Sequence, residues 1–329
     1  MSGPKPAPVK KRRYPPHRHP FAYRSTSRVD RLEEDHPGVR GLVETLMRRR
    51  VRRRAYAGVA PVVLVLLVVS PASFGWGENA ERLITNKAVD TLPDEMVGYF
   101  GANRQFLVQH VTDPDEGSAK IPADLRNNFI ELDHYGQFPF SVLPRSYTAA
   151  VAKYGRRAID RYGLLPWQIG LYSQKLTEAL RDHNWAEAKV NAALLAHYVA
   201  AAHDPFNTTM NGDGKLSDQM GVNERFGDGL VDRYQLFFFV KPNEAAFVRD
   251  PTDEGFEMAL GAHSWLENIL LADRHAHEGL SAYGDQYYDR FYAQAGAVLI
   301  RQLSDASTDV GSYWMTAWIN AGRPPLPSN

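Results

Sequence analysis

From Ala55 to Phe74 no charged residue interrupts the chain, and Val62 to Val69 is continuously aliphatic. At about 1.5 Å of rise per residue, some 20 helical residues cross a hydrocarbon layer of roughly 30 Å. Pro61 stands early enough in the run to be tolerated. Immediately before it lies a basic cluster, Arg48, Arg49, Arg50, Arg52, Arg53 and Arg54. The formal net charge of zero hides this asymmetry: Met1 to Arg54 holds 16 Lys and Arg against 5 Asp and Glu, and the rest holds 22 against 33. A basic stretch abutting an apolar one follows the positive-inside pattern. Residues 1–54 are therefore expected to be a cytoplasmic tail and 55–75 a single-pass transmembrane anchor in the inner (cytoplasmic) membrane. Residues 76–329 then form a periplasmic or extracellular domain. The competing reading is a cleaved signal peptide, with an apolar region of about 7–15 residues and small residues at the cut; Ser73-Phe74-Gly75 would serve. A basic region of 54 residues is long for a signal, although a start at Met47 would give an ordinary one.

The tail opens with a Pro/Lys/Arg-rich stretch, Pro4 to Pro20, too poor in apolar residues to fold alone. Val39 to Arg54 reads as an amphipathic helix. Its juxtamembrane bases suit anionic lipid, which attracts each such cation by about 1 kcal/mol near the surface, better than nucleic acid, and no nucleic-acid partner is expected. The chain has no cysteine, which excludes disulfides, thiolate metal sites and a Cys nucleophile. Stability must come from the core.

Beyond Trp76 the apolar period is helical. Leu83, Ile84, Ala88, Val89 and Leu92 mark one face, and Pro93 ends that helix. Similar stripes run over Met96 to Val111, Tyr147 to Tyr162, Pro166 to His183, Trp185 to His203, Phe256 to Ala272 and Gln286 to Leu303. Asp113 to Arg126 and Asn207 to Gln219 read as long polar loops. The expectation is an all-α bundle of about seven to nine helices. The aromatic run Tyr234 to Val240 is expected to fill its core. Asn211-Gly212-Asp213-Gly214 lacks the spacing of a calcium loop and reads as a turn.

Several segments carry a family resemblance: Trp76-Gly77-Glu78-Asn79-Ala80-Glu81-Arg82-Leu83-Ile84, Lys87-Ala88-Val89-Asp90-Thr91-Leu92-Pro93, Leu195-Ala196-His197-Tyr198-Val199 and Asp204-Pro205-Phe206-Asn207-Thr208-Thr209. Together they resemble the zinc-dependent phospholipase C and single-strand nuclease superfamily, from Trp76 to about Ala272. The resemblance implies an all-α domain that hydrolyses phosphodiesters with three zinc ions, held by an N-terminal Trp and by His and Asp/Glu side chains. Each zinc needs about three protein ligands and a position for an acidified water.

Carried over residue by residue, that ligand set is largely gone. The Trp corresponds to Trp76, whose amine is free only if the chain is cut before it. The early bridging Asp corresponds to Asp113, in Asp113-Pro114-Asp115, and the first His of the central helix to His197. The other positions read Glu81, Asn128, Ala201, Asn207, Asn223 and Gly227. A buried carboxylate without its metal is an unpaired charge that costs several kcal/mol, so Ala201 and Gly227 remove two liabilities together. Glu81 could bind metal in principle, and His203 or Asp204 could replace a lost neighbour. Asp133-His134 resembles a family feature, but no nucleophile adjoins it in the sequence to complete a triad.

The expected function is thus a non-catalytic, membrane-anchored scaffold or accessory subunit of an integral-membrane complex, of which energy-transducing assemblies are one candidate. No catalytic residue and no cofactor is expected. The alternative is a phosphodiesterase or phospholipase with a rearranged zinc site, secreted after cleavage before Trp76. A tethered binding module using the old cleft ranks third, because no Lys or Arg replaces the lost metal charge.

Overall fold

The computed structural model describes residues 75–327, and the basic tail, the expected amphipathic helix over Val39 to Arg54, the Arg48 to Arg54 cluster and the apolar run through Phe74 lie outside the described residues. Within them the chain is helical, with no strand. No helix among them is long and apolar enough to cross a membrane.

The first helix, α1 (Glu78–Ala88), opens with Glu78 and Glu81 and closes with Lys87, charges that complement the helix dipole at each end. It buries Ala80, Ile84 and Ala88 and runs through a 3-10 turn, Val89–Thr91, to the extended Leu92 before Pro93. The stripe from Met96 to Val111 is two helices, α2 (Asp94–Ala102) and α3 (Arg104–His110), broken at Asn103. The segment read as a polar loop after Asp113 is instead helical. It forms α4 (Asp113–Lys120), with Pro114 in its first turn, followed by a 3-10 helix, Pro122–Asn127. Proline is pre-organised for a first helical turn, so it starts this helix where a sequence reading takes it as a loop signal.

The stripe from Tyr147 to Tyr162 splits into α5 (Tyr147–Tyr154) and α6 (Arg156–Tyr162) at Gly155, whose φ of 81° suits glycine. Then come α7 (Leu165–Arg181) and the central helix α8 (Trp185–Ala202), capped by Asn184, whose side chain accepts from Glu187 N at 3.3 Å. The helix α8 is buried nearly all round, mostly through alanines 188, 192, 193, 196, 200, 201 and 202. Two tryptophans dock on it: Trp76 Nε1 donates to the Ala200 carbonyl and Trp314 Nε1 to that of Ala192, each at 2.9 Å. Next, α9 (Val222–Glu224) leads through a π-turn, Arg225–Gly229, into α10 (Leu230–Tyr234). The stripe from Phe256 to Ala272 also breaks in two, α11 (Pro251–His263) and α12 (Leu266–His277).

The last helix, α13 (Asp285–Asn320), has 36 residues where the apolar stripe ended at Leu303. At about 1.5 Å per residue it is roughly 54 Å long. Its crossing over α1 is close: a Cβ at Gly311 would lie 3.0 Å from the Ala88 carbonyl oxygen and 1.9 Å from Thr91 Oγ1. Along α13, hydroxyls recur every fourth residue and accept backbone N–H groups from an irregular segment. Lys241 N donates to Ser304, Asn243 N to Thr308, Ala246 N to Ser312 and Val248 N to Thr316, at 2.8–3.1 Å. Ser304, Thr308 and Ser312 pass their own protons to the carbonyls of Ile300, Ser304 and Thr308. The donors stand two, three and two residues apart along the segment, against a uniform four along α13, so one hydroxyl per turn satisfies these four backbone N–H groups without a strand partner.

Candidate functional site: a buried remnant cluster

At the C-terminal half of α8, several of the positions named by the resemblance converge. His197 Nδ1 lies 3.1 Å from the Glu81 carboxylate, and both side chains are 1% exposed. His197 Nε2 lies 3.9 Å from Asp115 Oδ1, which in turn accepts from Asn128 Nδ2 at 3.1 Å. Asn207 Nδ2 donates to the Ala201 carbonyl at 3.1 Å. Ala201 is buried, and a Cβ on Gly227 would lie 3.8 Å from Trp76 Cα. Asn223 is buried one helical turn before Gly227. Gly227 sits inside the π-turn, a deviation that recurs at functional sites. The indole of Trp76 is core, packed 5.9 Å from the Phe226 ring.

Asp113 is not part of this cluster. Its carboxylate takes His110 Nδ1 at 2.8 Å on the surface, and Asp115 supplies the inward carboxylate. Residues two apart on a helix point to opposite faces, so once α4 is helical only one of the two can face α8. His203 turns away as well, its Nε2 3.1 Å from Asp309 on α13.

Burial raises the Glu81 carboxyl to about 7, an effect that His197 opposes. Burial would lower His197, but the carboxylates of Glu81 and Asp115 outweigh it and hold the imidazole at about 9. Asp115 is also raised by burial, against the pull of His197. Two further acids border the cluster. Asp204 is fully buried and raised to about 7 by burial; its Oδ1 accepts from Phe206 N at 2.8 Å and its Oδ2 has no hydrogen-bond partner. Asp228 is raised to about 6 by burial, with Asp232 and Glu224 adding repulsion. It lies against the backbone of Gly77, where a Cβ would fall 1.0 Å from its Oδ1.

One donor atom each from Glu81, Asp115 and His197 lie within 4.8 Å of one another. His197 Nε2 and Asn128 Oδ1 are buried without a hydrogen-bond partner. Two carboxylates and an imidazole are sufficient for one divalent cation with an open position. They do not fit the three-zinc cluster that the resemblance implies, because Ala201 and Gly227 supply no donor and Asn128, Asn207 and Asn223 supply only weak amide oxygens.

Asp133 and His134 part company. His134 stacks on Tyr162 and pairs with Glu131 at 2.9 Å, while Asp133 accepts from the Thr209 hydroxyl and Met210 N. His263 stands between Asp133 and Thr208, 3.8 Å and 3.1 Å away, which lines up the residue types of a hydrolase triad. The Thr208 hydroxyl, however, is fully buried and donates to the Pro205 carbonyl at 2.6 Å, so it is unavailable as a nucleophile. Asn211, Asp213 and Ser217 stitch a turn, with Asp213 Oδ1 accepting from Gly221 N at 3.0 Å. A groove of about 860 Å³ beside Arg126, Arg145, Tyr147 and Trp167 shares no residue with the cluster.

No protein-family model matches this sequence, and no curated protein does. Among solved structures, an alpha-toxin of Clostridium perfringens from an avian strain superposes with a TM-score of 0.48 at 14% identity, over 74% of this chain and 66% of the toxin chain. The chain thus spans just under two thirds of that protein's length. A likeness at this level makes the toxin a distant structural neighbour and assigns neither a family nor an activity.

Proposed function

We propose that this protein is a non-catalytic, single-pass membrane protein whose helical domain serves as a scaffold or accessory subunit of an integral-membrane complex. In this reading the basic tail stays in the cytoplasm, Arg48 to Arg54 meets anionic lipid, and the domain stands on the far side of the membrane. The observation that carries the loss of catalysis is the Glu81–His197 pair. Where a phosphodiesterase of the resembled kind would hold metal, an acid and a base pair with each other at 3.1 Å, both fully enclosed. An enclosed pair offers substrate no approach, and its neighbours Ala201, Asn207, Asn223 and Gly227 offer no charge for a phosphoryl group.

The test begins with the intact mass of protein extracted gently from native membranes, followed by assays of phosphatidylcholine and single-stranded oligonucleotide hydrolysis with and without added zinc. An uncleaved chain with no turnover, co-purifying with an integral-membrane complex, is the expected result. A chain beginning at Trp76 that hydrolyses either substrate and loses activity to a chelator would overturn it.

A second reading keeps a metal. The Glu81, Asp115 and His197 donors converge, and His197 Nε2 is enclosed without a hydrogen-bond partner, with Asp115 Oδ1 3.9 Å away, which is the arrangement a single divalent cation would complete. Plasma mass spectrometry of protein from native membranes distinguishes the two: about one equivalent of zinc or manganese, lost in a His197→Ala variant, favours the metal.

A further inference from the structure

The aromatic run expected in the core is not all there. Leu236, Phe237 and Phe239 are 92%, 77% and 78% exposed. A soluble monomer rarely gathers large apolar side chains in one surface patch unless the patch meets something. These three are not the tip of a slack loop. On one side Tyr234 stacks on Tyr292 at 4.3 Å and donates its hydroxyl to Asp289 at 2.6 Å. Between the exposed residues, Phe238 lies parallel to the same Tyr292 ring at 6.0 Å. On the other side Val240 is buried, and from Lys241 the backbone is tied to the α13 hydroxyls. The frame is pinned at three places, so the exposed side chains cannot fold back into the core. Exposed Arg233 and Lys241 flank them. Apolar and aromatic groups bracketed by cations suit the boundary between acyl chains and phosphate headgroups.

The location points to the same occupant. The loop hangs from α10, where Asp232 accepts from Asn79 Nδ2 at 2.7 Å. Asn79 is four residues from Gly75, at which the described chain begins, and the uncharged run through Phe74 directly precedes it. Asp232 is likewise four residues from Leu236. At no more than about 3.6 Å per residue, each arm measures under roughly 15 Å. The exposed triplet therefore lies near Gly75, at which the described chain begins.

We infer that Leu236, Phe237 and Phe239 insert into the surface of a lipid bilayer. They give the domain a second attachment that fixes its orientation, where a lone tether would let it swivel. The inference rests on the membrane-tethered reading above. The absence of cysteine makes the test direct. The full-length chain carrying Phe237→Cys, Leu171→Cys or Leu66→Cys is labelled with an environment-sensitive fluorophore and reconstituted into vesicles of phosphatidylcholine and phosphatidylglycerol. Leu171 is 42% exposed on α7 and reports an ordinary surface site, and Leu66 reports the apolar run. Circular dichroism confirms that each variant keeps its helix content.

The expected result is severalfold stronger quenching at position 237 than at 171 by lipids spin-labelled near the headgroup, with iodide quenching reduced to match. Quenching at 66 by deep spin labels together with iodide access at 237 equal to that at 171 overturns the insertion and leaves the tether standing. Protection of 237 from iodide without lipid quenching also overturns it, because the loop then packs against protein. Loss of quenching at 66 and 237 alike removes the tether and the insertion together.

Discussion

Two of the ionic clusters buried among the described residues are built differently. Around Asp273, on α12, Arg225 Nε donates at 2.9 Å to one carboxylate oxygen, which the Tyr287 hydroxyl also reaches, and Gln219 Nε2 donates at 2.7 Å to the other. The guanidinium spends its remaining donors on the carbonyls of Met220 and Gln219 and lies 4.0 Å from the Tyr283 ring centroid. Both charges are met by donors and acceptors, and the one loose end is Gln219 Oε1, enclosed without a hydrogen-bond partner. Around His197 the acids outnumber the bases, and polar atoms of Asn128, His197, Asp204 and Asn207 are enclosed without partners. The first cluster has the form of a structural clamp, in which removing one partner strands another. The second holds polar groups whose reason for being there is not one another, and each unmet group weakens the fold.

The contrast can be broken most sharply at Asp273. Asp273→Ala strands the Arg225 guanidinium in the interior, and chemical denaturation should show a loss of about 3–5 kcal/mol. In the other cluster, Glu81→Leu with His197→Leu takes out both members at once and should leave stability unchanged or raised by about 1–4 kcal/mol. A loss of several kcal/mol would show instead that the enclosed pair stabilises the fold.

Titration sharpens the comparison further. Glu81, Asp204 and Asp228 have folded-state values raised to about 7, 7 and 6. A raised carboxyl favours folding only while protonated, so its contribution is lost as pH climbs from the unfolded value near 4 through the folded one. His197, raised to about 9, contributes stability that is complete below about 6.5 and lost as pH passes through 9. All four have the same sign, since the folded chain holds more protons than the unfolded one. The melting temperature should therefore fall by several degrees between pH 5 and pH 9, a change on the order of a few kcal/mol. A flat or rising profile would contradict this account. The smallest effect is expected from Asp204→Asn, which keeps the bond from Phe206 N and removes the charge. It should be nearly silent at pH 5 and stabilising by about 1 kcal/mol at pH 8.

Much of this architecture is legible in the sequence because a 3.6-residue period survives wherever a helix buries one face. The breaks at Asn103 and before Leu266 interrupt stripes that stay apolar across them, so two helices read as one. The helix α13 reads short because past Leu303 its buried face turns to Ser307, Thr308, Gly311 and Ser312, whose hydroxyls serve another segment's backbone and leave no apolar signature. At the cluster, His197, Glu81, Asn128, Ala201 and Asn207 are legible in the sequence and gather around the end of α8. Whether Asp113 or Asp115 faces inward depends on which face of a helix each residue occupies, which a segment that reads as a loop does not reveal. Asp228 carries no local signal: its environment is made by Gly77, about 150 residues away in sequence. The exposed triplet beside Tyr234 reads as core because composition says how apolar a segment is, and only packing says which way it faces.

The hydroxyls along α13 also determine how this domain responds to load. A force along the segment from Lys241 to Val248 runs parallel to the helix, so four hydrogen bonds share it in shear and must give way together. A force that lifts one end meets them singly, in the manner of a zip. Inserting one residue between Ser304 and Thr316 would rotate every later hydroxyl about 100° around the helix and release the segment beyond that point. The spacing of four small polar residues thus locks the segment to one register on the helix.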